Sequence, residues 1–433
     1  MKLRRPPAQL VDSLNIREIN SLLASYAEWD ERYLHYDELY RRVRDADTRD
    51  KLWSALKFKR RSTAHHFVVA DQTVTCNFTT KITAAMSMVD RMTFARNGEP
   101  TDEDAASYLM SQLIMEEAIS SSQLEGAATT SRVAMELLAV GRAPRTEDES
   151  MIMGNWRLMQ HIATMGDAPL THSDILEIHH IACAGINDEK YRPGAVRDNN
   201  EVFVAGRDGE IIHRPPDHQK LNSLLDALCA EVAWLEQQGT HPLLVACVMH
   251  FAIGYIHPFN DGNGRTARGL FYHHLIRHGY SAFRYISISK LLKAAAIKYG
   301  ISYLYTETDE MDLTYFVQFQ CEIVMRAVQA FSEQIATLHQ ERARLVKWVE
   351  EHRELGKGEL DIMAIALNAP GTLLSSAGIK SRLGIADNTA RTRLKSLADK
   401  GLLRPLKEGK GTVYQAPVSL RKLQEWLKKR KSD

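Results

Sequence analysis

The stretch His257-Pro258-Phe259-Asn260-Asp261-Gly262-Asn263-Gly264-Arg265-Thr266-Ala267-Arg268 decides how the chain is read. The apolar run before it, Leu243 to Ile256, predicts a buried helix. The run after it, Gly269 to His278, is apolar at Leu270, Phe271, Leu275 and Ile276 and is closed by Gly279, as in a helix with a glycine C-cap. The stretch is therefore a tight loop feeding a helix N-terminus. Gly262 and Gly264 allow a sharp turn and close approach to a ligand. Amide groups at a helix start favour an anion. Arg265 and Arg268, three apart, can fork onto phosphate oxygens. Asp261 can hold Mg²⁺, which usually arrives with substrate phosphates. His257 can take a proton near neutral pH. Each residue taken singly reads as structural; base, metal carboxylate, anion loop and two arginines together point to nucleotide phosphoryl chemistry.

The stretch resembles the signature of the Fic family, His-Pro-Phe-x-Asp/Glu-Gly-Asn-Gly-Arg-x-x-Arg, at every specified position. The resemblance implies a mainly α fold, with a Fic-type helical core and a β-hairpin flap. It implies transfer of AMP from ATP to a Ser, Thr or Tyr hydroxyl of a target protein or of the chain itself. By that likeness His257 deprotonates the hydroxyl and Asp261 binds Mg²⁺. Gly262, Asn263 and Gly264 hold the α-phosphate, and Arg265 and Arg268 hold the β- and γ-phosphates. Phe259 would anchor the loop in the core.

Upstream, Ala105 to Ser120 predicts a helix that continues into Ser121-Ser122-Gln123-Leu124-Glu125-Gly126. Alone, that segment only ends a helix. Beside the signature it resembles the family's inhibitory motif, Ser/Thr-x-x-x-Glu-Gly/Asn, in the N-terminal position of class II members. The resemblance implies that Ser121, Glu125 and Gly126 form this motif and that Glu125 pairs with Arg268. That pairing would remove a γ-phosphate ligand and tilt bound ATP out of line for attack. In some relatives the same glutamate supports removal of AMP.

Between the two motifs, Glu201-Val202-Phe203-Val204 and Glu210-Ile211-Ile212-His213 flank Gly206-Arg207-Asp208-Gly209 and predict a hairpin stopped by Pro215-Pro216. In Fic proteins a hairpin here is the flap; by likeness Val202, Phe203 and Val204 would dock the target segment as an added strand. His179 and His180 read as structural. Tyr299 and Tyr303 lack the adjacent tyrosine pair that relatives place near adenine, and core packing is the simpler role.

The sequence divides into an N-terminal helical extension (1–103), the Fic core with its inhibitory helix (104–345), a linker (346–358) and a C-terminal segment (359–433). In the extension, Leu14 to Leu34 and Tyr36 to Leu56 carry helical spacing, and His65 to Thr83 admits an extended piece. The last segment resembles a winged helix-turn-helix. Its helices are predicted at Leu360–Leu367, Ser376–Leu383 and Ala390–Lys400, the last capped by Asp387-Asn388-Thr389, and Leu403–Leu406 and Thr412–Ala416 form the wing. Arg391, Arg393 and Lys395, with Lys407 and Lys410, would face DNA; many such domains bind protein or only dimerise. Arg421 to Lys431 predicts a short basic helix.

With 433 residues, 25% charged and 44% hydrophobic, the chain has the composition of an ordinary soluble protein, and its net charge of +1 carries no global nucleic-acid or membrane signature. The cysteines Cys76, Cys183, Cys229, Cys247 and Cys321 lack metal-site spacing, so buried free thiols and a cytoplasmic home are expected. No apolar run reaches membrane-spanning length. No P-loop, H-E-x-x-H or G-x-S-x-G motif competes. The expected activity is protein adenylylation restrained by Glu125. A DNA-binding regulator using the Fic core as a nucleotide sensor, and removal of AMP through Glu125, are the alternatives. The family likeness also admits a homodimer.

Overall fold

The computed structural model describes residues 3–11, 14–94, 103–140, 142–186, 191–206, 209–351, 355–368, 371–408, 411–417 and 423. The chain is mostly helical with small antiparallel sheets. It divides into two compact units, residues 1–95 with 114–328, and residues 96–113 with 329–433.

The first unit is built on helix Pro242–Ile256, buried at every residue from Leu243 to Ile253. Pro242 sits at its first turn, where a missing N–H costs nothing, and the His241 side chain caps the Leu243 amide. Helices Leu221–Gln237 and Asn263–Arg277 pack on it, and His172–Cys183 and Glu147–Ile162 cover the latter. The post-loop helix starts at Asn263, six residues before the apolar run at Gly269, because the left-handed Gly262 (φ 82°) is already its N-cap.

The N-terminal residues belong to this unit rather than forming a body of their own. The two expected helical runs are broken into Ile16–Ser25, Ala27–Glu31, Tyr36–Arg42 and Ala46–Thr63. The extended piece is a hairpin, His65–Val69 with Gln72–Cys76, turning at Ala70 and Asp71 with positive φ. Its second strand exchanges backbone bonds with residues 311–313, Thr75 N to Met311 O at 3.2 Å and Leu313 N to Thr75 O at 2.8 Å. A buried polar network completes the junction. Arg60 lies 3.9 Å over the Tyr33 ring and donates to Tyr315 Oη (3.0 Å) and Leu34 O (3.1 Å). Lys57 pairs with Asp309 at 2.8 Å, and Tyr33 Oη donates to Asp312 at 2.7 Å. Buried charges are stable only when paired and hydrogen-bonded like this.

The flap hairpin is present but shorter than its sequence pattern. Val204–Ala205 pairs with Ile211–His213, with an irregularity at Val204/Ala205, and Val202 and Phe203 precede the paired residues. Arg207 and Asp208 of its turn lie outside the described residues.

In the second unit, helices Lys357–Asn368, Ser376–Leu383 and Asp387–Asp399 enclose a core of Ile362, Met363, Ile379, Leu394 and Leu397. A three-stranded sheet flanks them in the order Leu373–Leu374, Gly411–Gln415, Arg404–Glu408. The third helix starts at Asp387, with Ala386 as N-cap and no side-chain cap bond, so the Asp387-Asn388-Thr389 cluster is its first turn rather than its cap. A long helix, Thr314–Glu351, runs on into the expected linker, 346–358. Lys410 and, apart from Leu423, the basic tail lie outside the described residues.

Candidate active site

His257 ends the central helix with φ 49°, ψ 58°, an unusual left-handed conformation for a non-glycine residue. This turns the chain out of the helix into the loop. Its Nδ1 lies 3.2 Å from Gly254 O. A carbonyl only accepts, so Nδ1 carries the proton and Nε2 keeps its lone pair. Burial holds the His257 pKa below the ordinary histidine value, outweighing the Gly254 bond. The ring is thus a neutral base at neutral pH.

The loop is braced from inside. Asn263 uses both ends of its amide on Phe259, accepting from its N–H (2.9 Å) and donating to its carbonyl (2.8 Å). The Asn263 side chain is therefore a clamp within the loop. Phe259 is fully buried and stacks on His179 at 3.7 Å between ring centres. His179 accepts from Gly194 N at 3.0 Å through Nδ1 and donates from Nε2 to Asp261 O at 2.9 Å. Burial lowers its pKa to about 4, consistent with this neutral tautomer. Gly262 is required here: a Cβ would lie 2.5 Å from Cys183 Sγ and 3.1 Å from His179 Nε2. Asp261 Oδ1 accepts from the Gly262 amide at 2.6 Å.

The two arginines part company. Arg265 is fully buried, with Nη1 on Ala182 O at 2.7 Å and its guanidinium 5.3 Å over the Tyr191 ring. Arg268 reaches Ser121 and Glu125. It donates from Nε to Ser121 Oγ at 2.9 Å, and from Nη2 to Ser121 O at 3.2 Å and Glu125 Oε1 at 2.8 Å. Burial alone would depress the Arg268 pKa; the Glu125 charge and hydrogen bond reverse this and raise it. Gly264 makes room for the pair, since a Cβ there would meet Glu125 Oε1 at 2.2 Å. Gly126 turns the chain away at φ 103°.

Helix Glu103–Leu124, which leads into Glu125, is anchored on two sides. Asn155 Nδ2 donates to Ser122 Oγ at 2.8 Å. The buried Glu117 accepts from the Ser289 amide at 3.1 Å and from Ser287 Oγ at 2.8 Å. Ser121, Asn155, Arg265 and Arg268 line a small cavity between this helix and the signature helix.

Two residues with no motif complete the site. Arg197, almost fully buried, donates to His257 O at 3.1 Å and Asn199 O at 2.7 Å, and also to Pro216 O. It ties the base's backbone to the foot of the flap. His213, in the flap's second strand, contacts Glu307 Oε2 through Nδ1 and Tyr255 O through Nε2, each at 2.8 Å. Glu307 and Tyr255 only accept here, so His213 donates twice; burial works against that charge, but Glu307 prevails and raises the pKa. A lone Arg among turn residues and a His at a strand end give no pattern to read.

Tyr299 and Tyr303 sit beneath the central helix. Tyr299 Oη lies 2.7 Å from His250 Nε2, and the Tyr303 ring occupies the space a Gly254 side chain would take. The DNA-facing candidates separate too. Arg391 and Lys395 are exposed, Arg391 paired with Asp387 at 2.8 Å, whereas the Arg393 guanidinium lies against Gly358.

A family model described as the Fic/DOC family matches residues 169–275. Those residues form a Fic domain. The protein adenylyltransferase Fic of Aedes aegypti is 33% identical over 114 residues, 26% of this chain and 20% of that protein. The protein of the same name from Nematostella vectensis is 33% identical over 111 residues, 26% of this chain and 24% of that protein. The chain thus spans about a fifth to a quarter of the length of these relatives. The crystal structure of a Fic family protein from Desulfovibrio desulfuricans is similar in fold, with a TM-score of 0.54, 18% identity and coverage of 78% of this chain and 97% of that one. The matched residues carry His257, the loop and both arginines; helix Glu103–Leu124 and Glu125 lie outside them. No helix among the described residues is long and apolar enough to cross a membrane.

Proposed function

We propose that the chain is a protein adenylyltransferase of the class II type, restrained by Glu125. The observation that carries this is the Arg268–Glu125 pair at 2.8 Å, beside a neutral histidine at the mouth of a Fic loop. The site's chemistry fits a nucleotide. Arg265 Nε and Nη2 and Arg268 Nη1 are buried without hydrogen-bond partners, donors that phosphate oxygens would satisfy. Asp261 would hold Mg²⁺, which would offset charge on the phosphates. His257 Nε2 takes the proton of a Ser, Thr or Tyr hydroxyl. The hydroxyl oxygen forms a bond to the α-phosphorus of ATP, the bond from that phosphorus to the β-phosphate bridging oxygen breaks, and pyrophosphate leaves. The flap supplies a short strand edge on which a target segment can lie.

Glu125 restrains this by occupying Arg268 and by setting a carboxylate where the γ-phosphate would need the guanidinium. Labelling with α-³²P-ATP and Mg²⁺ tests both claims. Label is expected with Glu125→Gly, little with wild type, and none with Glu125→Gly/His257→Ala. Equal label in wild type and Glu125→Gly would sink the restraint.

For the second unit, the three helices and flanking sheet support a winged helix-turn-helix reading, with Asp387–Asp399 as the element that would enter a DNA groove.

A further inference from the structure

At the far end of the signature helix, about 16 Å from the loop at 1.5 Å per residue, lies a cluster that the transferase chemistry does not use. His274 and His278, one helical turn apart, face Glu236 at the end of helix Leu221–Gln237. His274 Nδ1 is 3.6 Å and His278 Nε2 3.7 Å from Glu236 Oε1, and the three donor atoms all lie within 4.8 Å of one another. The two rings are 4.2 Å apart at their centres.

The hydrogen bonding fixes which atoms carry lone pairs. His278 Nδ1 is 2.8 Å from His274 O. The carbonyl accepts, so in the neutral ring the proton sits on Nδ1 and the Nε2 lone pair faces the carboxylate, as in metal sites where a backbone carbonyl sets the tautomer. His274 is 1% exposed, and Nδ1, the nitrogen that faces Glu236, stays beyond hydrogen-bond distance of the carboxylate. Nε2 has no hydrogen-bond partner among the described residues, so no bond fixes the tautomer, and with the proton on Nε2 the Nδ1 lone pair is open to an ion. Arg277 holds the carboxylate in place, Nη1 at 2.6 Å and Nη2 at 3.3 Å, and is itself fixed by Asp167 O at 3.0 Å. Its charge opposes a dication and lowers the affinity, but it also orients Glu236, and an oxygen accepting one hydrogen bond keeps a second lone pair.

We propose that Glu236, His274 and His278 bind a divalent transition cation of the zinc class, with solvent completing the coordination. Tetrahedral ligands at 2.0–2.1 Å lie about 3.3–3.4 Å from one another, so the two Glu236 distances need a few tenths of an ångström of closure and the two histidine nitrogens, within 4.8 Å of each other, up to about 1.4 Å, a turn of the surface His278 ring. Two imidazoles and one carboxylate select zinc-like ions over Mg²⁺. Glu236 and His278 are partly exposed, which leaves a path for the ion. Bound there, it would clamp the ends of the two helices that pack on the central helix.

The test is titration of chelator-treated full-length protein with Co²⁺, followed by its visible absorption, and with Zn²⁺ by calorimetry. One equivalent is expected to bind, with the intense absorption of four- or five-coordinate Co²⁺. His278→Ala and Glu236→Gln should each weaken binding by more than about tenfold, and Asp261→Ala should leave it unchanged. Zn²⁺ should raise the melting temperature of wild type and not of His278→Ala; His278 is at the surface, and circular dichroism checks that the variant folds. Absence of stoichiometric binding, retention of binding in folded His278→Ala, or its loss in Asp261→Ala would each overturn the assignment.

Discussion

Arg268 is held by three acceptors, and they are not equivalent. Glu125 supplies the charge, while Ser121 supplies a hydroxyl and a carbonyl that aim the guanidinium. A hydrogen bond to a charged group contributes about 1.5–3 kcal/mol; Ser121→Ala removes the hydroxyl's bond and keeps the carbonyl and the charge. Its α-³²P-ATP labelling is expected to fall between wild type and Glu125→Gly. Labelling equal to Glu125→Gly would mean that the hydroxyl, not the carboxylate, sets the restraint. The base is tuned separately. Because burial lowers the His257 pKa, the neutral form persists below the ordinary histidine value of 6.5. The same depression makes this residue stabilise the fold above that value and progressively less as pH falls, since the unfolded chain takes up its proton first.

His213 tethers the hairpin, in addition to Arg197 at its foot. His213 spans from its strand to Tyr255 O at the end of the central helix and to Glu307 on helix Ala296–Thr308. Its raised pKa means that the double tether is complete below the ordinary value of 6.5 and is lost as pH rises through the raised one. His213→Gln, which cannot be charged, is expected to lower the hydrogen-exchange protection factors at Val204–Ala205 and Ile211–His213 at low pH and to abolish their pH dependence. Protection factors in the variant equal to wild type at low pH would remove His213 as the tether. The elements differ in how far they could be read. The central helix and the loop were legible because an apolar run, a proline and two glycines each force one outcome. The hairpin was legible as a turn between β-prone runs, but its length was not: Val202 and Phe203 have strand propensity and no paired partner. The apolar run marks the signature helix only from Gly269, and its first turns are legible through the two glycines and the spacing of Arg265 and Arg268, because the polar residues Asn263 to Arg268 break the apolar pattern. Arg197 and His213 bond mainly to backbone carbonyls, whose positions depend on the fold, so no residue pattern announces them.

On the scale of the whole chain, charge bears on the DNA contact proposed for the second unit. The net charge is +1, but residues 359–433 carry 15 Lys and Arg against 7 Asp and Glu, so the basic surface that would meet DNA belongs to this segment. On helix Asp387–Asp399 that surface is smaller than the sequence suggested. Arg393 is folded against Gly358, and Arg391 is paired with Asp387, which leaves Arg391 and Lys395 as the exposed cations among the three candidates. Each phosphate neutralised contributes about −0.9 to the slope of log K against log salt. Arg391→Ala/Lys395→Ala is therefore expected to flatten that slope by about 2 in fluorescence anisotropy on duplex DNA. The two residues belong to the second unit, with its own core around Leu394 and Leu397, and the Fic loop belongs to the first. The same double substitution, placed in Glu125→Gly, is thus expected to leave α-³²P-ATP labelling unchanged. A slope that does not move would reject this helix as the DNA contact, and a fall in labelling would show that the second unit acts on the transferase rather than on DNA alone.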